Sequence, residues 1–223
     1  MGEYSIQELT SILAMQGFAG FSLFSVLLLM ALGLAIIFGQ MGVINMAHGE
    51  FMAMGAYTTY LLSVVTETYF PAFMDYYFLL AILVSFLVAG LFGYITEFVL
   101  IRHLYKRPLD TLLATWGLSL IMQQSFRSIF GAREVSPALP DWLMGSWMPT
   151  ETIFIPINGM FVLGLTALVT LGVFLLMYRS SWGLNVRATT QNRVMSGAVG
   201  INTKQVDRLT FALGCGIAGI AGA

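Results

Sequence analysis

The sequence predicts an all-α integral membrane protein, a polytopic bundle of about six transmembrane helices. Three observations predict it. Hydrophobic residues make up 58% of the chain and charged residues only 9%, with a mean hydropathy of +0.83, against about a quarter charged in soluble domains. Apolar runs recur at close to the length of about 20 residues that a bilayer core of roughly 30 Å asks of a helix. Lys and Arg gather in two of the segments between those runs, as they do in loops retained on the cytoplasmic side.

The first apolar run covers about residues 18–39. No Lys or Arg precedes it, so it reads as a retained helix and not a cleaved signal. The second covers about residues 47–65, the third 77–101, the fourth 111–130 and the fifth 153–178. A sixth starts near Leu209 and is still apolar at Ala223, which reads as a partial chain. Arg102, Lys106 and Arg107 follow the third run, and Arg179, Arg187, Arg193, Lys204 and Arg208 lie between the fifth and the sixth. Both segments are therefore expected in the cytoplasm. The opposite side carries Glu3, Glu8, Glu67, Asp75, Glu134, Asp141 and Glu151, with Arg133 and Arg127 as its basic residues, so the N-terminus is expected outside. The whole of residues 1–223 reads as one transmembrane domain.

Enzyme chemistry has little to stand on. The chain has no phosphate-binding loop of the G-x-x-x-x-G-K-[ST] type and no H-E-x-x-H. His48-Gly49-Glu50 has the H-x-E spacing of a zinc deaminase, but the Pro-Cys-x-x-Cys half is missing. Two His and one Cys make a metal site improbable, and Cys215, inside an apolar run, reads as core packing. No catalytic residue, cofactor, metal or nucleic-acid partner is expected.

The polar residues inside the apolar stretches are the candidates for a solute route. Between residues 39 and 57, Gly39, Gly42, Gly49 and Gly55 interrupt the apolar pattern, with Asn45, His48 and Glu50 among them. Glycine-rich backbone at membrane depth is tolerated where protein or a watered cavity satisfies it, so a broken or re-entrant helix is expected. An ionised Glu50 near the bilayer centre would cost on the order of 2.5–3.5 kcal/mol unless paired or facing a cavity, and His48 and Asn45 are its nearest partners in sequence. Alternatively Asn45 caps the second helix and leaves His48 and Glu50 in its first turn, where the helix dipole favours a carboxylate. Thr111, Thr115 and Ser119 mark one hydroxyl-bearing face of the fourth helix, and Gln123, Gln124, Ser125, Arg127 and Ser128 form a polar cluster at its outer end. Either group faces the solute or holds helices together. Glu97, about one turn before Arg102, is expected to form an interfacial ion pair with it, and Trp142, Trp147, Tyr76 and Tyr77 read as interface anchors.

The run over residues 32–51, with Gly39-Gln40-Met41-Gly42 and Asn45-Met46-Ala47-His48-Gly49-Glu50, followed by Gly55-Ala56-Tyr57, resembles the permease subunits of bacterial ABC importers for branched-chain amino acids and urea. Three later strings carry the same resemblance: Arg107-Pro108-Leu109-Asp110-Thr111-Leu112-Leu113-Ala114-Thr115-Trp116-Gly117, Phe130-Gly131-Ala132 and Gly183-Leu184-Asn185-Val186-Arg187-Ala188. Leu112 to Gly117, the Phe-Gly-Ala turn and Pro140-Asp141-Trp142-Leu143 look more like the urea branch than the amino acid branch. The resemblance implies an inner-membrane subunit that moves a small neutral solute, urea or a short amide, by alternating access, with branched-chain amino acids as the alternative substrate. It also implies two ATPase subunits that hydrolyse ATP, a second related permease and a periplasmic solute-binding protein. A self-contained small-solute channel is the reading from a different class. It would not need the basic loop over about residues 179–208. In that loop Val194, Met195, Ala198 and Val199 share one helical face over residues 189–199, with Thr189 or Thr190 suited to cap the start and Gly200 the stop. The resemblance makes this an ATPase-coupling element, with Arg187, Ala188, Asn192, Arg193, Gly197 and Gly200 as its candidate residues. An interfacial helix on lipid headgroups would share the pattern.

Overall fold

The computed structural model describes residues 6–105, 107–131, 133–150 and 153–223. Glu3, Lys106, Ala132 and Glu151, named above, lie outside the described residues. Six long helices stand where the six apolar runs fall: α1 Ile6–Met41, α2 His48–Tyr69, α3 Tyr77–Val99, α4 Pro108–Phe130, α5 Ile157–Arg179, and, after two short helices α6 Ser181–Gln191 and α7 Arg193–Ala198, α8 Thr203–Gly222. Between α4 and α5 the chain forms an antiparallel pair of strands, β1 Ser146–Thr150 and β2 Ile153–Pro156, with Trp147 opposite Ile155. The fifth apolar run starts at Ile153, but Ile153 to Ile155 belong to β2 and not to the helix. These β-branched and aromatic residues alternate in burial, and Pro156 closes the strand where the helix begins.

Three of the six, α1, α3 and α5, contain windows long and apolar enough to cross a membrane on their own composition. The other three are less apolar because polar side chains take up their buried faces. On α2 these include His48, Thr59 and Ser63, on α4 Thr111, Thr115 and Ser119, and on α8 Asp207 and Thr210. A helix whose hydroxyls bond back to its own carbonyls, as Thr210 does to Val206 at 2.8 Å, keeps its polar groups satisfied away from water.

The centre of the bundle is α8, which packs against α3, α1 and α2. Its small residues let the backbones approach. A Cβ on Gly33 of α1 would stand 2.5 Å from the Gly214 carbonyl oxygen, and one on Gly93 of α3 would stand 2.7 Å from Cβ of Cys215. Lipid chains are as apolar as Leu, so close van der Waals contact of this kind holds membrane helices together. Around it sits the core of Ile37, Val43, Ala47, Phe51, Phe211, Cys215 and Ala218, with Cys215 fully buried as expected. A second cluster joins Tyr77, Phe78, Ala81, Ile82 and Leu143. Tyr77 belongs to this core and not to an interface: it is 3% exposed and its hydroxyl donates to the Ala138 carbonyl. Tyr76 beside it is 70% exposed, as an anchor would be.

α8 begins two turns earlier than its apolar run. Asn202 caps it, its Oδ1 accepting from the Gln205 amide at 3.2 Å, and the charged Asp207 and Arg208 lie inside the helix because each finds a partner on another element.

Candidate functional site

The turn after α1 sets the geometry. Gly42 takes φ +64°, a left-handed conformation that side chains resist, and the chain doubles back along α1. His48 Nε2 lies 3.1 Å from the carbonyl of Met30, eleven residues before the end of α1, which is about 16 Å of helical rise. α2 therefore starts well inside the bundle, the re-entrant arrangement its glycines predict. The loop's amides are satisfied on the way. Met46 N donates to Thr115 Oγ1 at 3.2 Å, Ala47 N to Asn45 Oδ1 at 3.1 Å and His48 N to the Asn45 carbonyl at 3.3 Å. The N-cap of α2 is Ala47, with no side-chain cap, so Asn45 does not cap the helix as the alternative expected; its side chain instead accepts from the Ala47 amide before the helix begins, and His48 and Glu50 lie in the first turn.

Because a carbonyl can only accept, a neutral His48 carries its proton on Nε2 and presents Nδ1 as an acceptor. Asn45 and His48 are each 3% exposed, and among the described residues Asn45 Nδ2 and His48 Nδ1 have no protein partner.

The partners expected for Glu50 were His48 and Asn45, and the structure gives others. Glu50 Oε1 accepts from Gln123 Nε2 at 2.7 Å and from Ser119 Oγ at 3.1 Å, while Gln123 also donates to Ser119 at 3.2 Å. His48 and Glu50 are two residues apart on α2, so they point away from each other, and Glu50 instead meets the face of α4. Thr115 sits one turn below Ser119 on that face, bonded to the loop. The structure thus gathers Asn45, Glu50, Thr115 and Gln123 at the contact of α2 with α4. Gln124 is not among them: it lies on another side of α4 with Ile121, Ser125 and Ser128. Farther along the same contact, Tyr57 stacks on Phe130 at 4.2 Å and lies 4.9 Å from Phe126. The aromatic spacing on α4 contained this signal, but nothing in the sequence names Tyr57 as its partner.

At the basic end of the bundle the loop helices differ from the single helix expected over residues 189–199. Ser180 caps α6 by accepting from the Gly183 amide at 2.9 Å, and that helix runs on through Thr189 and Thr190, which are interior and cap nothing. Asn192 breaks the chain with an extended backbone and caps α7, its Oδ1 accepting from Met195 N at 3.0 Å. Gly200 at φ +90° ends the pair, as expected. Ala188 and Gly197 contribute carbonyls to these two turns. Arg187 folds back to donate to the Met177 carbonyl and covers the Tyr178 ring.

Arg193 does more. Its guanidinium grips Asp207 with two bonds, 2.8 and 2.9 Å, and Asp207 is fully buried at the start of α8. Gln40 of α1 donates to Asp207 at 3.4 Å and accepts from Thr190 at 2.8 Å. Beside it, Glu97 is 1% exposed, accepts from the Tyr105 hydroxyl at 2.6 Å and forms an ion pair with Arg208 at 3.3 Å. Arg102, the partner expected for Glu97, instead lies over the Phe98 ring, 4.7 Å from its centroid. Burial, and then the Glu97 carboxylate, push the Tyr105 phenol up, so it remains a proton donor throughout the physiological range. This network is not legible in the sequence, since its bonded partners are 8 to 167 residues apart.

Residues 17–223 match the family described as branched-chain amino acid transport system / permease component. The permease protein BraD of the high-affinity branched-chain amino acid transport system of Pseudomonas aeruginosa is 29% identical over 211 residues, covering 91% of this chain and 67% of its own length. The LivH permease proteins of the corresponding systems of Salmonella typhimurium and Escherichia coli K12 are each 28% identical over 214 residues, covering 93% of this chain and 68% of theirs. No solved structure matches the chain. With a helical bundle, a re-entrant polar segment and this match over nearly its whole length, the chain belongs to the branched-chain amino acid permease family of ABC importers, membrane subunits that transport and leave ATP hydrolysis to partner proteins.

Proposed function

We propose that this chain is one permease half of an ATP-driven importer that carries branched-chain amino acids across the bacterial inner membrane. The observation that carries the reading is the polar contact of α2 with α4, where Glu50, Ser119 and Gln123 bond to one another beside the inward start of α2. In an apolar bundle such a group is a functional site by default. Asn45, Thr115 and Gln123 flank Glu50 along the route, His48 holds the start of α2 against α1, and Gln124 lies on another side of α4. The relatives named above are permeases of branched-chain amino acid systems, which supports the amino acid substrate over urea. Urea or a short amide is the second reading, and it rests on residues 112–117, 130–132 and 140–143 of the sequence alone.

The basic segments after α3 and around α6 and α7 lie in the cytoplasm and the N-terminus outside, by the distribution of Lys and Arg. The loop over 179–208 couples to an ATPase. Val194, Met195 and Val199 are 85%, 62% and 72% exposed, an apolar face left uncovered on α7, while Arg193 ties the same helix to α8. Arg187, Ala188, Asn192, Gly197 and Gly200 shape its turns. Two ATPase subunits, a second permease and a periplasmic binding protein complete the importer. The test is uptake of labelled leucine and labelled urea by cells carrying the full-length gene with its neighbours, with and without ATP depletion. ATP-dependent leucine uptake is expected. ATP-dependent urea uptake indifferent to leucine would transfer the protein to the second reading, and flux that persists without ATP would make it a channel.

A further inference from the structure

We propose that the cavity between the end of α1, the segment joining α3 to α4 and the turn from α6 into α7 binds a phosphate group, that of an anionic lipid headgroup or of a free phosphate. Its chemistry is independent of which solute the permease carries.

The lining selects the ligand. The cavity has a volume of about 670 Å³, and its walls include Gln40, Tyr105, Thr190 and three arginines, Arg102, Arg107 and Arg193. That volume lies within the range of about 300–1,000 Å³ usual for small-molecule sites. Among the described residues no carboxylate lines it. The neutral side chains are already engaged: Thr190 donates to Gln40, Gln40 to Asp207 and Tyr105 to Glu97. Those bonds hold the walls in place and leave the arginines to meet a ligand.

The arginines keep donors free for it. Arg193 commits one N–H of each terminal nitrogen to Asp207, so three of the five donors of its guanidinium are unused among the described residues. Arg107 reaches Asp110 at 3.5 Å with the two side chains 78% and 48% exposed, a pair that solvent screens. The three carboxylates bonded to this lining, Asp207, Glu97 and Asp110, are matched by Arg193, Arg208 and Arg107. Arg102 is then the cation in excess: it lies over the Phe98 ring and forms no ion pair among the described residues. Guanidinium forks fit phosphate oxygens two at a time, which a carbonyl or an amide cannot exploit.

The position suits a lipid. In the orientation proposed above the cavity lies at the cytoplasmic end of the bundle, where basic pockets between helices hold anionic headgroups. Just beyond Arg107, Leu109 and Leu113 of α4 are 76% and 61% exposed, an apolar surface for acyl chains. A phosphate held here bridges the basic segment after α3 to α6 and α7.

The test is binding of labelled phosphatidylglycerol to the purified, lipid-stripped permease–ATPase complex, wild type and with Arg102→Gln and Arg107→Gln together. Phosphatidylcholine, whose ammonium offsets its phosphate, is the control, and inorganic phosphate is the competitor. The wild type is expected to bind phosphatidylglycerol on the order of tenfold tighter than phosphatidylcholine, and the double variant to lose most of that preference. Retention of the lipid against inorganic phosphate would assign the site to the headgroup, and displacement by it to free phosphate. Both substituted residues are exposed, and thermal unfolding of the lipid-free complex reports any change of fold separately. A wild type that neither prefers phosphatidylglycerol nor binds inorganic phosphate, or a preference that the double variant keeps, would overturn the proposal and leave these arginines to acidic side chains of a partner protein.

Discussion

Asp207 and Arg193 show how unequal the two ends of one ion pair are. Asp207 is fully buried, whereas the Arg193 side chain is 41% exposed and can turn to water. Removing the cation strands a buried carboxylate, a loss of about 3–5 kcal/mol, with only the 3.4 Å bond from Gln40 left to it. Arg193→Ala should therefore lower the Tm of the purified protein far more than Asp207→Asn, which leaves an arginine with solvent in reach. Equal losses would show that both groups titrate or rearrange. Neither residue's partner was legible in the sequence, because spacing reports only neighbours three or four positions away and a buried charge takes whichever opposite group the fold brings to it. The same limit misassigned Glu97 to Arg102 and Glu50 to His48.

At the scale of elements, helix spacing and helix exposure make separate predictions. Gly33 of α1 lets the Gly214 carbonyl and the His48 imidazole approach, the ring standing 3.3 Å from where a Cβ would be. Gly33→Ala should cost about 1–3 kcal/mol as overpacking, read as a drop in Tm, and should also disturb the start of α2. An unchanged Tm would mean that α1 and α8 shift apart without penalty. Val194 of α7 touches little, so Val194→Ser should leave stability within about 0.5 kcal/mol while cutting ATP-driven uptake several-fold in the full complex. Full uptake would remove α7 as the docking face. The long helices were legible because each needs only a run of apolar residues of sufficient length. The break at Asn192 was not, since Thr189, Thr190 and Asn192 are all competent caps and only the register set by Ser180 decides which one is used.

For the whole molecule, the distribution of basic residues predicts an orientation that chemistry can read. Cys215 is the one cysteine of the chain and is fully buried, so the protein provides its own unlabelled background. In intact inner-membrane vesicles of right-side-out orientation, Glu67→Cys should react with a membrane-impermeant maleimide and His103→Cys only after the membrane is disrupted. The reverse pattern would invert the topology and move α6 and α7 away from any cytoplasmic ATPase.

By itself the sequence determined the class of the protein, the number and place of its long helices, the interruption after α1 and the family. Each of these depends on composition or local periodicity, which act over one helix at a time. Only the tertiary structure decided that α8 is the centre of the bundle, that α2 starts about 16 Å back along α1, and that Glu50 meets Gln123 and Ser119. In an apolar medium the few polar groups must find one another to be satisfied, and which of them meet is set by helix packing across the bundle and not by their order in the chain.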